Sequence, residues 1–515
     1  MKRRIRNSLI AISLCGALAM PTFLDGQQNG VQEESNQHHY KLVDLGTLGG
    51  PQSYLFSLTG PLSSNGSVAA CADLATADPS NPPSPYFGGD PYLQHGVEWT
   101  DGKLEDLGTL PGGGSSCTQW INSFGWIAGG SENGGIDSLT GYPAVNAVFW
   151  KNSKIRNLGT FGGEESVAFA LNNRDEVVGF ALNTIPDPFT STVFAFGATQ
   201  AHAFLWKNGV LEDLGTLGGP DSIAFYVNER GQVAGLSLTN STPNATTGIP
   251  TLHTFFWEKG KMQDIGTLGG TAVFVNDMNN RGEVVGQSNL AGDQTFHPFS
   301  WYRGVLTDLG TFGGDDGNAI WANDAGQVVG VATFPIPCNG CLLPQVYHAA
   351  AWKDGEINDL GTVPGDKCSE AHGNNSAGQV VGGSGICHGA VHAFLWEDGR
   401  PMVDLNALIP PGSALQLQDA VSINERGEIA GTGTIGNGDK HAYLLVPCDE
   451  DHSGIEGCDY DLVDAAMGPQ VQPTQITQVP VASPVKLSTS EMMTRLRSLG
   501  AGRNRRFGMR QTSPE

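Results

Sequence analysis

From Tyr40 to Pro447 the apolar residues come in short runs, four to eight residues long, rich in Val, Ile, Phe, Trp and Thr and bounded by Gly, Asn or Asp. Runs of that length and make-up predict short β-strands. The runs also repeat. One unit reads His202-Ala-Phe-Leu-Trp206, then Asp213-Leu-Gly-Thr-Leu-Gly-Gly219, then Ser222 to Asn228, then Gly231 to Gly235. Its first element returns in eight copies. So does its second, which starts at Asp44, Asp106, Asn157, Asp213, Asp264, Asp308, Asp359 and, in degraded form, Asp404. Successive second elements are 44 to 62 residues apart, which is propeller-blade length with loop insertions.

Two kinds of turn join the runs. Asp101-Gly102, Asn208-Gly209, Asp354-Gly355 and Asp398-Gly399 separate first from second elements, and Asn228 to Gly231 with its counterparts separates third from fourth. Such pairs supply the positive φ angles of tight hairpins, so the unit is predicted to be four antiparallel strands. Asp175 replaces the glycine in one copy, and Asp tolerates the left-handed region. A four-stranded sheet with two apolar faces must be covered, and stacking sheets around an axis does so. The repeat region opens at Tyr40 to Gly50 with a second element lacking its first and ends at His441 to Pro447 with a first element lacking its second. The expectation is an all-β, closed β-propeller of about eight four-stranded blades, the N-terminal strand completing the last blade, in a monomeric chain.

Composition adds a location. Met1 to Arg6 is basic, an apolar run follows from Leu9, and Ala17-Leu18-Ala19 closes it; this is the layout of a secretory signal peptide, and the run is too short to span a bilayer. We therefore expect a secreted protein, extracellular or periplasmic, without a transmembrane anchor. Removing residues 1–19 takes away four basic residues and makes the formal charge of −24 still more negative. That disfavours nucleic acid and anionic membranes as partners. The predicted organisation is a linker over 20–39, the repeat domain over 40–447, an acidic Cys-bounded extension over 448–467, a Pro/Gln/Thr-rich linker over 468–485 and a basic tail with a short helix over 486–515.

The three motifs, His-Ala-Phe-x-Trp, Asp-Leu-Gly-Thr-Leu-Gly-Gly and Asn-x-x-Gly-x-Val-Val-Gly, resemble those of the HAF family of extracellular repeat proteins, named for the first of them. The resemblance covers Tyr40 to Pro447. It implies export and a repeated β module, and it implies no reaction. Asn146 and Asn157 in one unit, Leu445 in place of Trp, and Asp404-Leu-Asn-Ala-Leu depart from the pattern.

Most His and Trp residues occupy repeat positions, so a catalytic role for one would have to account for its equivalents. His202, Trp206, Asp213, Asn228 and Gly231 are therefore read as structural: the aromatic packs between blades and the histidine hydrogen-bonds a loop. Residues that break the repeat are better functional candidates. Cys368, His372, Cys387 and His388 could supply four zinc ligands, but in an exported chain a Cys368 to Cys387 disulfide is the preferred reading. Cys338-Asn-Gly-Cys341 has redox-pair spacing without a βαβ context and is read as a disulfide-closed loop. Cys448 and Cys458 enclose an acidic clip. No metal site, cofactor motif or hydrolase signature is assigned. The inserted loops, residues 73–94, 131–145, 180–201, 237–252 and 331–347, are expected to carry specificity, with Tyr86, Phe87 and Tyr92 stacking on a sugar. The leading expectation is a non-catalytic binding or scaffolding module for a glycan or protein at the cell envelope. The alternatives are a polysaccharide-acting enzyme with its site in the propeller channel, using carboxylates or His372, and a structural surface protein.

Overall fold

The computed structural model describes residues 39–449 and 458, apart from 57–58, 80–86, 88–89, 139–140, 188, 190–198, 246–247, 340 and 388. The expected signal peptide, both linkers, the basic tail, Tyr86, His388 and most of the acidic extension lie outside the described residues.

The described chain is all-β and consists of four-stranded antiparallel sheets, a propeller-like arrangement. Eight such units follow one another: sheet 1 over 49–106, sheet 2 over 116–157, sheet 3 over 166–213, sheet 4 over 222–264, sheet 5 over 269–308, sheet 6 over 317–359, sheet 7 over 368–404 and sheet 8 over 416–447. Sheets 4 and 5 also share one parallel bridge, Leu252 to Ala272. Sheet 8 has only three strands of its own. Its fourth is Tyr40–Asp44, antiparallel to Lys440–Pro447, with Tyr40 opposite Pro447 and Asp44 opposite Tyr443.

Within a sheet the burial follows strand order. The first strand of sheet 4, Ser222–Val227, is buried throughout, whereas the fourth, Lys261–Asp264, is largely exposed. First strands converge: the Trp120 ring of sheet 2 stacks on Trp321 of sheet 6 with centroids 6.1 Å apart and meets Tyr226 of sheet 4 edge-on at 6.2 Å. Seven of the eight first strands carry a β-bulge here, for example between Ala224 and Tyr226 or Ala371 and Gly373. A bulge adds one unpaired residue and re-aims its side chain. The glycine that opens each Gly-x-Val-Val-Gly turn lies left-handed, Gly231 at φ +74°. The glycine that ends the motif has a different reason: a Cβ on Gly235 would collide with the Ile223 carbonyl and the Phe255 ring.

The third-strand tryptophans fill the seams. Trp150, 1% exposed, lies in one cluster with Ala69 and Leu107 of sheet 1 and donates its indole N–H to the Leu107 carbonyl at 3.0 Å. Trp206 likewise packs with Ala128 and Phe149 of sheet 2. Sheets 8 and 1 share a cluster of the same kind, Val421, Ala430 and Leu444 with Val68, Val97 and the half-buried Trp99.

A chain of side-chain amides crosses the same seams. In each Asn-x-x-Gly turn the asparagine oxygen accepts from the backbone four residues on, and in most also from the backbone two residues on; for Asn228 the donors are Arg230 at 3.0 Å and Gln232 at 3.1 Å. This fixes the amide so that its NH2 faces the next sheet. Asn122 donates to the carbonyl of Asn172, Asn172 to Asn228, Asn228 to Asn279, Asn279 to Asn323, Asn323 to Asn375 and Asn375 to Asn424, at 2.9 to 3.2 Å. Asn424 of sheet 8 then donates to Ser63 of sheet 1 at 3.0 Å. Ser63 stands where the other sheets have asparagine. The seam between sheets 1 and 2 is bonded instead by Ile121 N–H to the Gly60 carbonyl at 2.9 Å.

Among the described residues there are four disulfides: Cys71–Cys117, Cys338–Cys341, Cys368–Cys387 and Cys448–Cys458. Cys71 lies in sheet 1 and Cys117 in sheet 2, so that bridge staples two sheets.

Candidate functional site

The two ends of the sheets differ. At one end lie the connections between first and second and between third and fourth strands, short in every sheet but the first, where residues 55–67 join the first strand to the second. At the other lie the inserted connections between second and third strands and the Gly-Thr-Leu-Gly-Gly crossings. In sheets 1, 2, 3 and 6 the second strand runs past the sheet body after a register shift, at Asp73/Ala77, Glu132/Ile136, Leu182/Pro186 and Thr333/Pro337. The result is a set of projecting ribbons. Four large aliphatic side chains are exposed at this end, Ile136 (61%), Ile185 (54%), Leu342 (54%) and Ile386 (59%). They belong to sheets 2, 3, 6 and 7.

Beneath the ribbons six of the third-strand histidines bond the aspartate that starts the crossing. Nδ1 of His202 lies 2.8 Å from Asp213, and the same pair is made by His95 and Asp106, His253 and Asp264, His297 and Asp308, His348 and Asp359, and His441 and Asp44. The aspartate also accepts from the glycine two residues on, as Asp213 does from Gly215 at 2.8 Å. Burial pulls the His202 imidazole down, but its bond to Asp213 and the carboxylate charge outweigh that and raise it. Asp213, Asp264 and Asp308 are held below the usual carboxylate range: burial opposes this, and the histidine bond, the glycine N–H and the histidine charge together outweigh it. The departures are accommodated locally: Asn157 donates to Asn146 at 3.0 Å, and His392, without the usual partner, takes Asp366 at 2.9 Å.

The convergence of the first strands has an aromatic side and a polar side. Phe169 and Phe225 stack with centroids 5.0 Å apart near Tyr226. On the other side Asn276 donates to Ala319 at 2.8 Å, and His372, at the bulge of sheet 7, lies with Nδ1 3.0 Å from Asp419 of sheet 8 and Nε2 3.9 Å from Glu370. The Asp419 contact is an ion pair out of line for a strong hydrogen bond. Burial opposes the imidazolium, yet the two carboxylates raise His372 well above an ordinary histidine. The two carboxylates thus favour the charged form of this imidazole.

Of the aromatics expected to stack on sugar, Phe87 is buried in the largest core cluster and Tyr92 is half-buried at the start of a strand, its N–H donating to Asp90 at 2.9 Å. Of the residues weighed as zinc ligands, His388 lies outside the described residues, His372 is held by carboxylates, and Cys368 and Cys387 are bridged. The sulfurs of Cys338, Cys341 and Cys387 do come together, within 4.8 Å of one another. Sequence reasoning passed over Glu370, Asp419, Trp120 and Trp321. The available signal was the bulge position, where Phe169, Phe225 and Ile320 give way to Gln119, Asn276 and His372.

No protein-family model and no curated protein matches the chain. Among solved structures it is similar to the acylaminoacyl peptidase of Pyrococcus horikoshii (TM-score 0.37, 12% identity, covering 74% of this chain and 57% of that one). It is also similar to the sialidase of Trypanosoma rangeli in complex with the inhibitor DANA (0.32, 10%, 79% and 59%). A third likeness is to hydrazine synthase of Kuenenia stuttgartiensis (0.31, 10%, 76% and 47%). The chain spans about half to three-fifths of these proteins, and nothing of their chemistry passes to it. Among the described residues no helix is long and apolar enough to cross a membrane.

Proposed function

We propose that the eight sheets form a closed propeller of the HAF type that is exported and serves as a non-catalytic binding or scaffolding module at the cell envelope. The ligand is taken at the end that carries the ribbons. The observation that carries this reading is the exposure of Ile136, Ile185, Leu342 and Ile386 on connections at one end. Phe124, Val210 and Val305 are as exposed at the turn end, but at the ribbon end Leu342 and Ile386 lie on connections held together by the Leu342 N–H to Cys387 carbonyl bond, and with Ile136 and Ile185 they suit an apolar contact. Aliphatic tips favour a protein surface over a sugar, which stacks on aromatic faces. The His-Asp pairs hold the crossings under the ribbons in place.

A second reading has one observation in its favour. His372 between Asp419 and Glu370 could protonate a leaving group on a polysaccharide near the first strands. One experiment separates the two. Chain lacking residues 1–19, and the same chain with Ile136, Ile185, Leu342 and Ile386 all changed to Ser, are screened by cross-linking to envelope proteins and on a glycan array with product release followed. The proposal expects a saturable protein partner that the variant loses by more than tenfold. Equal binding by both chains, or release of sugar fragments abolished by His372→Gln, would overturn it.

A further inference from the structure

Two of the four disulfides lie against each other. Cys338–Cys341 closes a four-residue loop in the connection of sheet 6, and Cys368–Cys387 joins the first strand of sheet 7 to the connection that follows its second. The sulfur of Cys387 is within 4.8 Å of both sulfurs of the first pair. The Leu342 N–H donates to the Cys387 carbonyl at 3.0 Å and holds the two connections together. Cys387 itself adopts φ +69°, a left-handed conformation that a non-glycine residue keeps only when its surroundings impose it.

The two pairs differ in access. Cys368 and Cys387 are 2% and 1% exposed, whereas Cys338 and Cys341 are half-buried. Leu342, next to Cys341, and Ile386, next to Cys387, are both exposed. Packing alone would account for two disulfides in a small apolar cluster with Val331 and Tyr347. It does not require a Cys-x-x-Cys pair to face a sulfur of the other bridge.

We propose that these four cysteines form a thiol–disulfide relay, in which the outer pair oxidises a dithiol on a client protein and passes the electrons to the buried pair. A client thiolate attacks one sulfur of Cys338–Cys341 and expels the other as thiolate. The second client thiol resolves the mixed disulfide, leaving an oxidised client and a Cys338/Cys341 dithiol. One of these thiolates attacks Cys387, and Cys368 leaves as thiolate. The remaining outer thiolate then attacks its neighbour, re-forming Cys338–Cys341 and releasing Cys387. Two electrons have moved from the client to Cys368/Cys387, and a single turnover needs no other oxidant. Exchange of this kind requires a thiolate with access to a disulfide sulfur, and the half-buried pair gives that access on both sides. The relay stands independently of the envelope-binding role.

The test is to trap the intermediate. Full chains carrying Cys338→Ser or Cys341→Ser each hold one free outer thiol; they are folded, alkylated at acid pH and mapped by mass spectrometry, with folding checked by circular dichroism. The relay expects a new bridge from the remaining outer cysteine to Cys387, with alkylated Cys368, in at least one of the two variants. Cys448→Ser, which frees Cys458 instead, serves as the control for random scrambling and leaves Cys368–Cys387 intact. In the unaltered chain, one equivalent of a dithiol peptide produces alkylated Cys368 and Cys387 while Cys71–Cys117 stays closed. If both variants fold and neither contains a bridge to Cys387, or if the control scrambles equally, the proposal is wrong.

Discussion

Asn228→Ala deletes one link of the amide chain that joins successive sheets. The side chain donates to the Asn279 carbonyl at 3.2 Å and to Gln232 Oε1 at 2.7 Å, and it accepts from the N–H groups of Arg230 and Gln232. It is 4% exposed, so water does not replace it in the folded chain without rearrangement. A net contribution of about 1 kcal/mol for each bond, softened because the Asn279 carbonyl keeps the Gly282 N–H, gives a loss of about 3 kcal/mol. Asn228→Asp keeps the acceptor oxygens for the turn but points a carboxylate at the Asn279 carbonyl, and so isolates the link between sheets. Urea unfolding followed by tryptophan fluorescence reads both, with Lys154→Ala on an exposed turn as the control. A change for Asn228→Ala within about 0.5 kcal/mol of that control, the range of ordinary surface substitutions, would refute the idea that these amides bind the sheets together.

Asp73 is fully buried and its carboxyl is pushed up to about 7, first by burial and then by the charge of Asp90. The folded chain thus holds this proton more tightly than the unfolded one, so its contribution is complete below about pH 4 and is lost as pH rises through about 7. Asp73→Asn is expected to unfold at a higher temperature than the unaltered chain at pH 8 and to lose that advantage as pH falls below about 4, as measured by thermal melts in matched buffers. His202, raised by Asp213, contributes stability that is full below about pH 6.5 and is lost as pH climbs through its folded value; His202→Gln should therefore destabilise more at pH 6 than at pH 9 in the same assay. Trp150→Ala empties the seam between sheets 1 and 2 and should lower stability by about 3–5 kcal/mol, with Trp150→Phe losing much less in urea titrations. Removing the Cys71–Cys117 bridge by a double serine change should lower stability by about 2–4 kcal/mol, and an unchanged urea midpoint would contradict its role as a staple between sheets.

The sheets were legible because each hairpin carries its own local instruction. Asn208-Gly209 and Asn228 to Gly231 state a turn in four residues, and the half-units at Tyr40 and His441 announce a missing partner. The bridges Cys338–Cys341, Cys368–Cys387 and Cys448–Cys458 are short in sequence for the same reason. What joins sheet to sheet is not local. Asn228 looks like a turn residue because its oxygen is one; that its NH2 reaches Asn279 depends on how sheets stack, and the Asn424 link to Ser63 spans nearly the whole repeat region. Cys71 and Cys117 are 46 residues apart in different units, with no pattern to pair them. Trp120 and Trp321 meet because bulges turn them to the convergence of the first strands, and a period-two reading cannot anticipate that. His372 was noticed because it breaks the repeat, but Asp419, its partner, sits in the next unit with no motif of its own. Phe87, an aromatic within an insertion that sequence leaves open between sugar stacking and loop packing, has its side chain in the core.

The proposed closure of the ring rests most directly on Tyr40–Asp44 completing sheet 8. Native-state hydrogen exchange of the chain, resolved by peptide, tests it. The amides of Tyr40–Asp44 should be protected to a degree comparable with their partner strand Lys440–Pro447, and the two segments should lose protection together as urea is raised. Exchange of Tyr40–Asp44 at the rate of an unfolded peptide, while Lys440–Pro447 stays protected, would contradict closure by the N-terminal strand.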